Sequence, residues 1–267
     1  PTVSKFAFAY LQSEPLFLTA QGIYAITAQD ITGERYGRNR SYYINRKLNA
    51  ESNRSEAVAI TWNGRYVLSV NGNIYMLDSN QQDYLKDAPQ SAFRYECYMW
   101  ENVPARMLWT RKDDQDNDVL CFGTSDGKVK EFYSGSIGAH YNDDGDAIRA
   151  CWRTPLLNFD MLSNYKTVTG VWLIAQPYTR SGGDIYYITN KDLETLKKSY
   201  NIDILDWDDI DFNRWTFNIN SSPQVQPSKA KAKKITLFQA EVENKALNEP
   251  FGVYELQINY LLGSKVR

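Results

Sequence analysis

Hydrophobic and polar positions alternate in short runs along most of the chain, and the clearest case lies between residues 57 and 78. Three runs rich in β-branched and aromatic residues, AVAITW, RYVLSV and NIYMLD, are separated by the pairs Asn63-Gly64 and Asn71-Gly72. Asn-Gly is the preferred pair for a two-residue hairpin turn, because both central positions of a type I′ turn need a positive φ. The pattern therefore predicts a three-stranded antiparallel meander.

The strand–turn–strand pattern occurs three times along the first half of the chain. LFLTA and IYAIT flank Gln21-Gly22, and VLCFGT and KVKEFY flank a Ser-Asp-Gly turn. The equivalent positions Ile23, Ile74 and Val129 are 51 and 55 residues apart. Self-similarity at a period of roughly 40–50 residues, with a small meander as the unit, is typical of β-propeller blades. A series of unrelated hairpins is the alternative.

Three blades are too few for a closed propeller, which takes about four or more. We therefore expect further blades before Pro1 in the native chain; the alternative is that this region is an open fragment. The polar segments 32–43 and 80–91 are expected to connect strands across the faces of the blades.

The pattern changes after the run NDDGD at 142–146, where the predicted strands become longer and unevenly spaced. In FGVYELQINY the side chains alternate, as expected for a strand with one face on a core. Six or seven such strands, among them 147–159, 167–178, 183–189, 214–220, 234–244 and 251–263, predict an antiparallel β-sandwich. The basic stretch 228–234 is expected to be a solvated loop that leads into the next strand. The stretch 191–202 has a helical composition, and 204–215 is acidic and aromatic, so we expect a short helix followed by a loop.

The predicted fold is therefore all-β. Residues 1–143 are expected to form three β-propeller-like blades, and residues 144–267 an antiparallel β-sandwich with a short helical insertion at 191–215.

Composition and charge exclude several classes of protein. The 30 Lys and Arg residues against 32 Asp and Glu residues give a net charge of −2, so no whole-protein field favours nucleic acid or an anionic membrane as a partner. No apolar run is long enough to cross a bilayer. Cys97, Cys121 and Cys151 are an odd number without CxxC spacing, which favours buried free thiols in a reducing compartment over a disulfide or metal site.

The sequence contains no strong motif for catalysis, phosphate binding or metal binding. His140 is the single histidine, no GxSxG elbow accompanies it, and no Gly-rich phosphate loop occurs. Asp114, Asp116 and Asp118 alternate like the start of a calcium loop, but the Gly and the closing Glu are missing, so a solvated hairpin loop is preferred. We expect no catalytic residue, no cofactor and no metal. Paired carboxylates at a propeller mouth keep a glycosidase open as an alternative.

Exposed aromatic and basic residues are the remaining candidates for function. Most of the seven tryptophans lie in strand-like runs and are expected in cores, whereas two lie in the acidic insertion. We expect interfaces at the insertion 191–215, the loop 111–118 and the loop 32–41. The candidate interface residues are Trp207, Trp215, Tyr178, Arg35, Arg38 and Arg40.

Three stretches resemble a class of tailed-bacteriophage virion proteins in which propeller blades are followed by a C-terminal β-sandwich. They are LFLTAQGIYAIT with GERYGRNRSYYIN (16–45), CFGTSDGKVKEFYS through AIRACWRTPLLNF (121–159), and KITLFQAEVEN through ELQINYLLGSKVR (234–267). The resemblance implies a non-enzymatic component of the neck, head–tail junction or tail, assembled in the host cytoplasm and located in the virion.

The resemblance also implies partners: portal, neck or tail subunits, and further copies of the chain in a homo-oligomer. A glycan- or receptor-binding adhesion module is the alternative function, since Trp207 and Trp215 could stack on a sugar of the host surface.

Overall fold

The computed structural model describes residues 2–28, 35–84, 93–132, 141–192, 194–208, 210 and 212–266. Strands account for 56% of it and helices for 5%, which confirms the all-β prediction. The chain divides into two compact units, Pro1–Ser134 (unit 1) and Gly135–Arg267 (unit 2), whereas the sequence suggested a division at 143/144. Within the described residues, no helix has the length and apolar character needed to cross a membrane.

Unit 1 is built from three antiparallel meanders in which the strands pair in chain order. Sheet 1 contains β1 (Phe8–Leu11), β2 (Glu14–Thr19), β3 (Gly22–Ala28) and β4 (Arg35–Asn39). Sheet 2 contains β5 (Val58–Trp62), β6 (Arg65–Val70), β7 (Asn73–Tyr84) and β8 (Phe93–Trp100). Sheet 3 contains β9 (Met107–Lys112), β10 (Asp118–Gly123) and β11 (Val129–Glu131). A short helix, α1 (Asn45–Ala50), and a 3-10 turn, Arg54–Glu56, precede sheet 2.

The hairpin turns have the backbone that the Asn-Gly pairs predict. Asn63 and Gly64 have φ values of 45° and 72°, and Asn71 and Gly72 have values of 52° and 80°. These positive φ values are those of a type I′ turn, which Gly and Asn adopt with little strain. The polar segments that we expected to be connections instead contribute β4 and the end of β7.

Sheet 2 is buried on both faces, and this is what holds unit 1 together. On one face, Tyr66 and Leu68 share a core cluster with Leu16 of sheet 1. On the other face, Val67 shares a cluster with Leu120 of sheet 3. Alternate residues of a strand point to opposite faces, so one apolar run supplies both contacts.

A buried ion pair joins sheet 1 to sheet 2. Arg40 is 1% exposed, forms an ion pair with Glu14, and donates from Nη1 to the carbonyl of Phe93 at 2.6 Å. Its guanidinium lies 3.6 Å from the centre of the Phe93 ring, and Tyr95 donates its hydroxyl to Glu14 Oε2 at 3.0 Å. Each charge is therefore compensated inside the core, as a buried ion requires.

A second polar tie joins the segment after α1 to the hairpin of sheet 2. Glu51 accepts hydrogen bonds from Asn71 Nδ2 and Asn73 Nδ2, each at 2.8 Å, and from the Tyr75 hydroxyl at 2.6 Å. Burial by itself would raise the pKa of Glu51, but the bonds from Tyr75, Asn71 and Asn73 favour the carboxylate, and the pKa lies below its ordinary value.

Unit 2 contains two four-stranded antiparallel sheets. Sheet 4 has the order β12 (Ala150–Arg153), β18 (Phe238–Asn244), β14 (Arg180–Thr189), β15 (Thr195–Asp203). In sheet 5, β13 (Asn164–Ala175) pairs with β19 (Val253–Lys265) and also with β16 (Gln224–Ser228) and β17 (Ala232–Ile235). Side chains of both sheets meet in one apolar cluster, as in a sandwich.

The predicted helix in 191–202 is wrong, because residues 195–203 form β15, which pairs with β14. The intrinsic helix propensities of Leu, Lys and Glu are a weak preference that tertiary contacts override. Here Tyr200 and Ile202 are 6% and 2% exposed in the core of unit 2.

Three strand predictions in unit 2 also need correction. Residues 214–220, expected as a strand, have no strand structure, and the expected loop before residue 234 contains β16 and most of β17. The stretch 234–244 divides between two sheets: residues 234–235 belong to β17 of sheet 5, and residues 238–244 form β18 of sheet 4. Of 147–159, Ala150–Arg153 is the strand.

The alternation in the last strand changes phase near the start of the strand. Val253 and Leu256, three residues apart, both pack on the core cluster. The pairing of β19 with β13 shifts between Ile174↔Glu255 and Ala175↔Val253, and an extra residue at such a bulge reverses which face a side chain occupies. The simple alternation in the sequence therefore predicts only the part after the bulge.

We predict that Arg40→Ala lowers the free energy of unfolding by about 3 kcal/mol or more, because it leaves Glu14 in the core without its counter-ion. Chemical denaturation followed by far-UV circular dichroism measures the change. Arg106→Ala is the matched control: Arg106 pairs with Glu56, both side chains are more than half exposed, and the loss should stay below about 1 kcal/mol. Equal losses for both variants would contradict the role given to the buried pair.

We predict that the contribution of Glu51 to stability disappears in acid. A carboxyl whose pKa is lowered in the folded state stabilises the protein above its unfolded pKa, here near 4.5, and the effect is lost as the pH falls through the folded pKa. The difference in free energy of unfolding between the wild type and Glu51→Gln should therefore be constant near neutral pH and shrink below pH 4.5. A difference that grows in acid would contradict the assignment. Denaturation series at several pH values test it.

Candidate protein-interaction surface

The segment 204–220 connects β15 to β16 and is held to the edge of the sandwich by backbone hydrogen bonds. The amide of Ile204 donates to the carbonyl of Thr179 at 3.0 Å, and the amide of Leu205 donates to the carbonyl of Asn218 at 2.7 Å. Asn218 Nδ2 donates to the carbonyl of Asp203 at 3.0 Å. The start and the end of the segment are thus fixed against each other and against sheet 4.

Burial along the end of this segment is the reverse of what its residue types predict. From Arg214 to Asn218 the polar residues are half-buried, and the apolar residues between and after them are exposed. Phe217 and Ile219 are 78% and 77% exposed. An apolar side chain normally gains free energy by leaving water, so a run with its apolar side outward is a candidate interaction surface.

Three of the exposed aromatic side chains of this segment contact one another. Trp215 lies between two phenylalanines: its ring stacks parallel to Phe212 at 5.8 Å and meets Phe217 edge-on at 5.4 Å. Offset stacking and edge-to-face contact are the arrangements that the charge distribution of aromatic rings favours. The name "aromatic surface" is used below for Trp207, Phe212, Trp215, Phe217 and Ile219.

Arg214 holds the segment that carries the aromatic surface to the sandwich through two acidic residues. Its Nη2 lies 2.6 Å from Asp203 Oδ1 in an ion pair, and its Nη1 donates to Glu249, which is 12% exposed in its side chain. Burial by itself would lower the pKa of Arg214, but the hydrogen bond and charge of Glu249, together with Asp203, raise it above its ordinary value. The guanidinium is therefore permanently charged and ties the segment to both β15 and the chain before β19.

The space beneath the segment is small. A cavity of about 20 Å³ is lined by Thr179, Ile204, Asp206, Arg214 and Trp215 among others. That volume holds roughly one water molecule, whereas small-molecule sites typically measure about 300 Å³ or more. The feature that the segment presents to a partner is therefore its outer surface.

Trp207 and Trp215, both proposed from the sequence, belong to this surface. Trp207 is 72% exposed and Trp215 is 42% exposed. Tyr178 is half-buried next to the same edge, and burial, with Tyr141 and Tyr254 nearby, raises the pKa of its hydroxyl. The structure thus brings three of the six candidate residues to one end of the sandwich.

The three candidate arginines belong to unit 1. Arg40 is buried in the ion pair with Glu14 and serves the contact between sheets 1 and 2. Arg38 is half-buried on β4. The backbone of Arg35 lies in β4, and its side chain, like residues 29–34, is outside the described part of the structure.

The acidic loop 113–118 is a hairpin loop organised around Asp113. Its carboxylate accepts bonds from the amides of Gln115 and Asn117 and from the Asn117 side chain, and these bonds lower the pKa of Asp113. Such bonds from a carboxylate to its own loop stabilise a turn. Across the described ranges, no group of three or more His, Cys, Asp or Glu residues could hold a metal ion.

The thiols match the sequence prediction in part. All three cysteines are free; Cys121 is buried and Cys97 is half-buried. Cys151 is exposed, which corrects the expectation that it is buried, because it lies on the edge strand β12. Its Sγ donates to Glu241 at 3.2 Å, and burial of the sulfur and that bond raise the pKa of the thiol to about 11. His140 lies outside the described residues.

Glu241 and Glu243, the two carboxylates of β18, form ion pairs with neighbouring Arg and Lys side chains. Glu241 is fully buried beside Arg149 and Arg153, and Glu243 lies 2.7 Å from Lys245 Nζ and also pairs with Arg149. Carboxylates neutralised in this way stabilise the outer face of sheet 4.

Three members of the aromatic surface were missed from the sequence. Phe217 and Ile219 lie in 214–220, which the sequence predicts to be a strand of the sandwich. Phe212 follows directly after the acidic run. The available signal was the density of aromatic residues beside acids in a segment flanked by Asn and Ser, which is unusual for a core strand.

A scan of the chain against protein-family models finds no match, and a search of curated proteins finds no matching protein either.

We predict that Arg214→Met loosens the segment without unfolding unit 2. The methionine keeps most of the packing volume but removes the ties to Asp203 and Glu249, so hydrogen exchange at the amide of Leu205 should become faster. Hydrogen exchange with mass spectrometry measures this. Arg111→Met is the control, because the Arg111–Glu131 pair is exposed on unit 1. Unchanged exchange in 204–220 would show that Arg214 does not anchor the segment.

Proposed function

We propose that the protein is a non-enzymatic structural component of a tailed-bacteriophage virion, located at the neck, head–tail junction or tail. It acts by assembling with portal, neck or tail subunits and with further copies of itself. Support comes from the order of sheets, with blade-like meanders followed by a sandwich, and from the resemblance of three stretches to virion proteins of that organisation.

The reversed burial of residues 214–219 is the observation that carries the assembly function. Trp and other large rings are over-represented among the residues that dominate protein–protein binding, especially in the centre of an interface. Here Trp215 and its two phenylalanine neighbours form a cluster that is already ordered by ring contacts and by Arg214. Because this order is present before binding, a partner loses little conformational entropy on docking.

A glycan- or receptor-binding module is the second candidate, and the same surface favours it. Sugars bind by stacking on exposed aromatic rings while carboxylates and amides accept or donate hydrogen bonds. Phe212 and Trp215 offer parallel rings, and Asp206 and Asp208 lie in the same segment. A host-surface glycan is the ligand that this alternative implies.

We predict that Trp207→Ala with Trp215→Ala weakens assembly while the protein stays folded. Two central aromatic residues contribute about 2 kcal/mol each or more to an interface, so binding to particles should fall at least ~100-fold. Trp152→Ala is the matched control, since Trp152 is 44% exposed and lies on β12, at the edge of sheet 4 opposite to β15. Circular dichroism checks the fold of each variant.

The readout is immuno-electron microscopy of virus particles from the bacterium that carries the gene. Antibodies against the chain should label the neck or tail, and added wild-type protein should compete with incorporation where the double variant does not. Particles without label would refute the virion assignment. Binding of the wild type, but not the double variant, to a glycan array would then favour the adhesion module.

A further inference from the structure

Sheet 1 exposes a continuous apolar face on the side away from sheet 2. Its strands place Phe8 opposite Phe17, Phe17 opposite Tyr24, and Tyr10 opposite Pro15, so these side chains share one face. Phe8, Tyr10 and Ile26 are 49%, 58% and 43% exposed. The name "open face of sheet 1" is used for Phe8, Tyr10, Pro15, Phe17, Tyr24 and Ile26.

The same positions in sheet 2 are fully buried. The hairpins align by their last pairs, Thr19↔Gly22 in sheet 1 and Val70↔Asn73 in sheet 2. In this alignment the open face of sheet 1 corresponds to the face by which sheet 2 packs on sheet 1. Pro15, Phe17, Tyr24 and Ile26 align with Tyr66, Leu68, Tyr75 and Leu77, each of which is 0% exposed.

Sheet 3 has the complementary open face. Ile23 and Ile74 are 0% exposed because the following sheet covers them, whereas the equivalent Val129 on β11 is 73% exposed. Met107, which shares this face through Gly123, is 63% exposed. The name "open face of sheet 3" is used for Met107, Trp109, Arg111, Val129 and Glu131.

We propose that the open face of sheet 1 docks on the open face of sheet 3 in a second copy of this chain. Within the chain, this kind of contact occurs between sheets 1 and 2 and again between sheets 2 and 3. In each case the face that corresponds to the open face of sheet 3 packs on the face of the next sheet that corresponds to the open face of sheet 1. The proposed contact continues that stack between chains. Two copies joined head to tail supply six sheets, which is within the roughly 4–8 blades of closed propellers.

Charge on the two faces is compatible with this contact. The open face of sheet 1 presents aromatic rings, and the open face of sheet 3 presents the guanidinium of Arg111 beside Glu131. Arginine stacks favourably on aromatic rings. This chain already uses that contact twice, with Arg40 at 3.6 Å from the Phe93 ring and Arg94 at 3.6 Å from the Tyr42 ring.

The inference concerns unit 1 and does not depend on the aromatic surface or on the virion assignment. It holds equally if the protein is an adhesion module. Its failure would remove this route to self-assembly but would leave the virion assignment, which is tested on particles and through residues of unit 2.

The test is the mass of the full chain in solution, measured by sedimentation equilibrium over a wide concentration range. We expect the wild type to reach twice the chain mass of 30.8 kDa. Ile26→Arg and Val129→Arg each place an unpaired charge on one of the two faces, and each alone should raise the dissociation constant at least ~100-fold. Both side chains are exposed in the single chain, so the fold should tolerate the changes.

Mixing the two variants decides whether the contact is head to tail. A mixed pair has one junction with both faces intact, formed by the sheet 1 face of Val129→Arg and the sheet 3 face of Ile26→Arg. Association should therefore return on mixing, although neither variant associates alone. Leu196→Arg is the control, since Leu196 is 50% exposed on β15 and should leave the wild-type mass unchanged.

Two results would overturn the proposal. A wild type that stays at one chain mass at the highest soluble concentration shows that a second copy does not cover the open face of sheet 1. Loss of association in Ile26→Arg but not in Val129→Arg shows that the two sheet 1 faces meet each other instead.

Discussion

Unit 1 depends on the requirement that a four-stranded sheet with two apolar faces must be covered on both. Strand β6 makes this plain, because five consecutive residues from Tyr66 to Val70 are buried. Such a strand is stable only as the middle layer of a stack, with one neighbour for its even positions and another for its odd ones. Sheet 2 has both neighbours within unit 1. Sheets 1 and 3 each have one, and this difference generates the two open faces.

The elements of unit 1 could be predicted because their signals are local. Asn63-Gly64 and Asn71-Gly72 specify turns through their own backbone preferences, and the turns then fix the register of the strands beside them. Sheet pairing in unit 2 could not be predicted in this way. Apart from the hairpin of β14 and β15, its strands pair across long separations, as in β12 with β18, and no local residue marks the partner. Strand β15 is an example. Its composition favours a helix, but Tyr200 and Ile202 pack in the core of unit 2 and the stretch pairs with β14 as a strand.

The candidate surface shows a second limit of sequence patterns. Alternation of apolar and polar residues between 214 and 220 tells which side chains share a side, but it does not tell which side meets the protein. The outcome is decided by bonds that the sequence does not display: Arg214 to Glu249, and Asn218 to the backbone of Asp203. These hold the polar side inward, and the aromatic side is left in water. The half-buried residues of the segment thereby determine which of its side chains are exposed.

The buried pair of Arg40 and Glu14 also constrains the order in which sheets 1 and 2 fold while the chain is being synthesised. Glu14 lies in β2 and Arg40 directly follows β4, but the carbonyl of Phe93 and the hydroxyl of Tyr95 that complete their shell come from the last strand of sheet 2. While a ribosome is still adding the residues between them, sheet 1 carries a charged pair that its own strands cannot enclose, and domains generally fold as units during synthesis. Sheet 1 therefore reaches its final form only after β8 has emerged, and the first two meanders mature as one cotranslational unit.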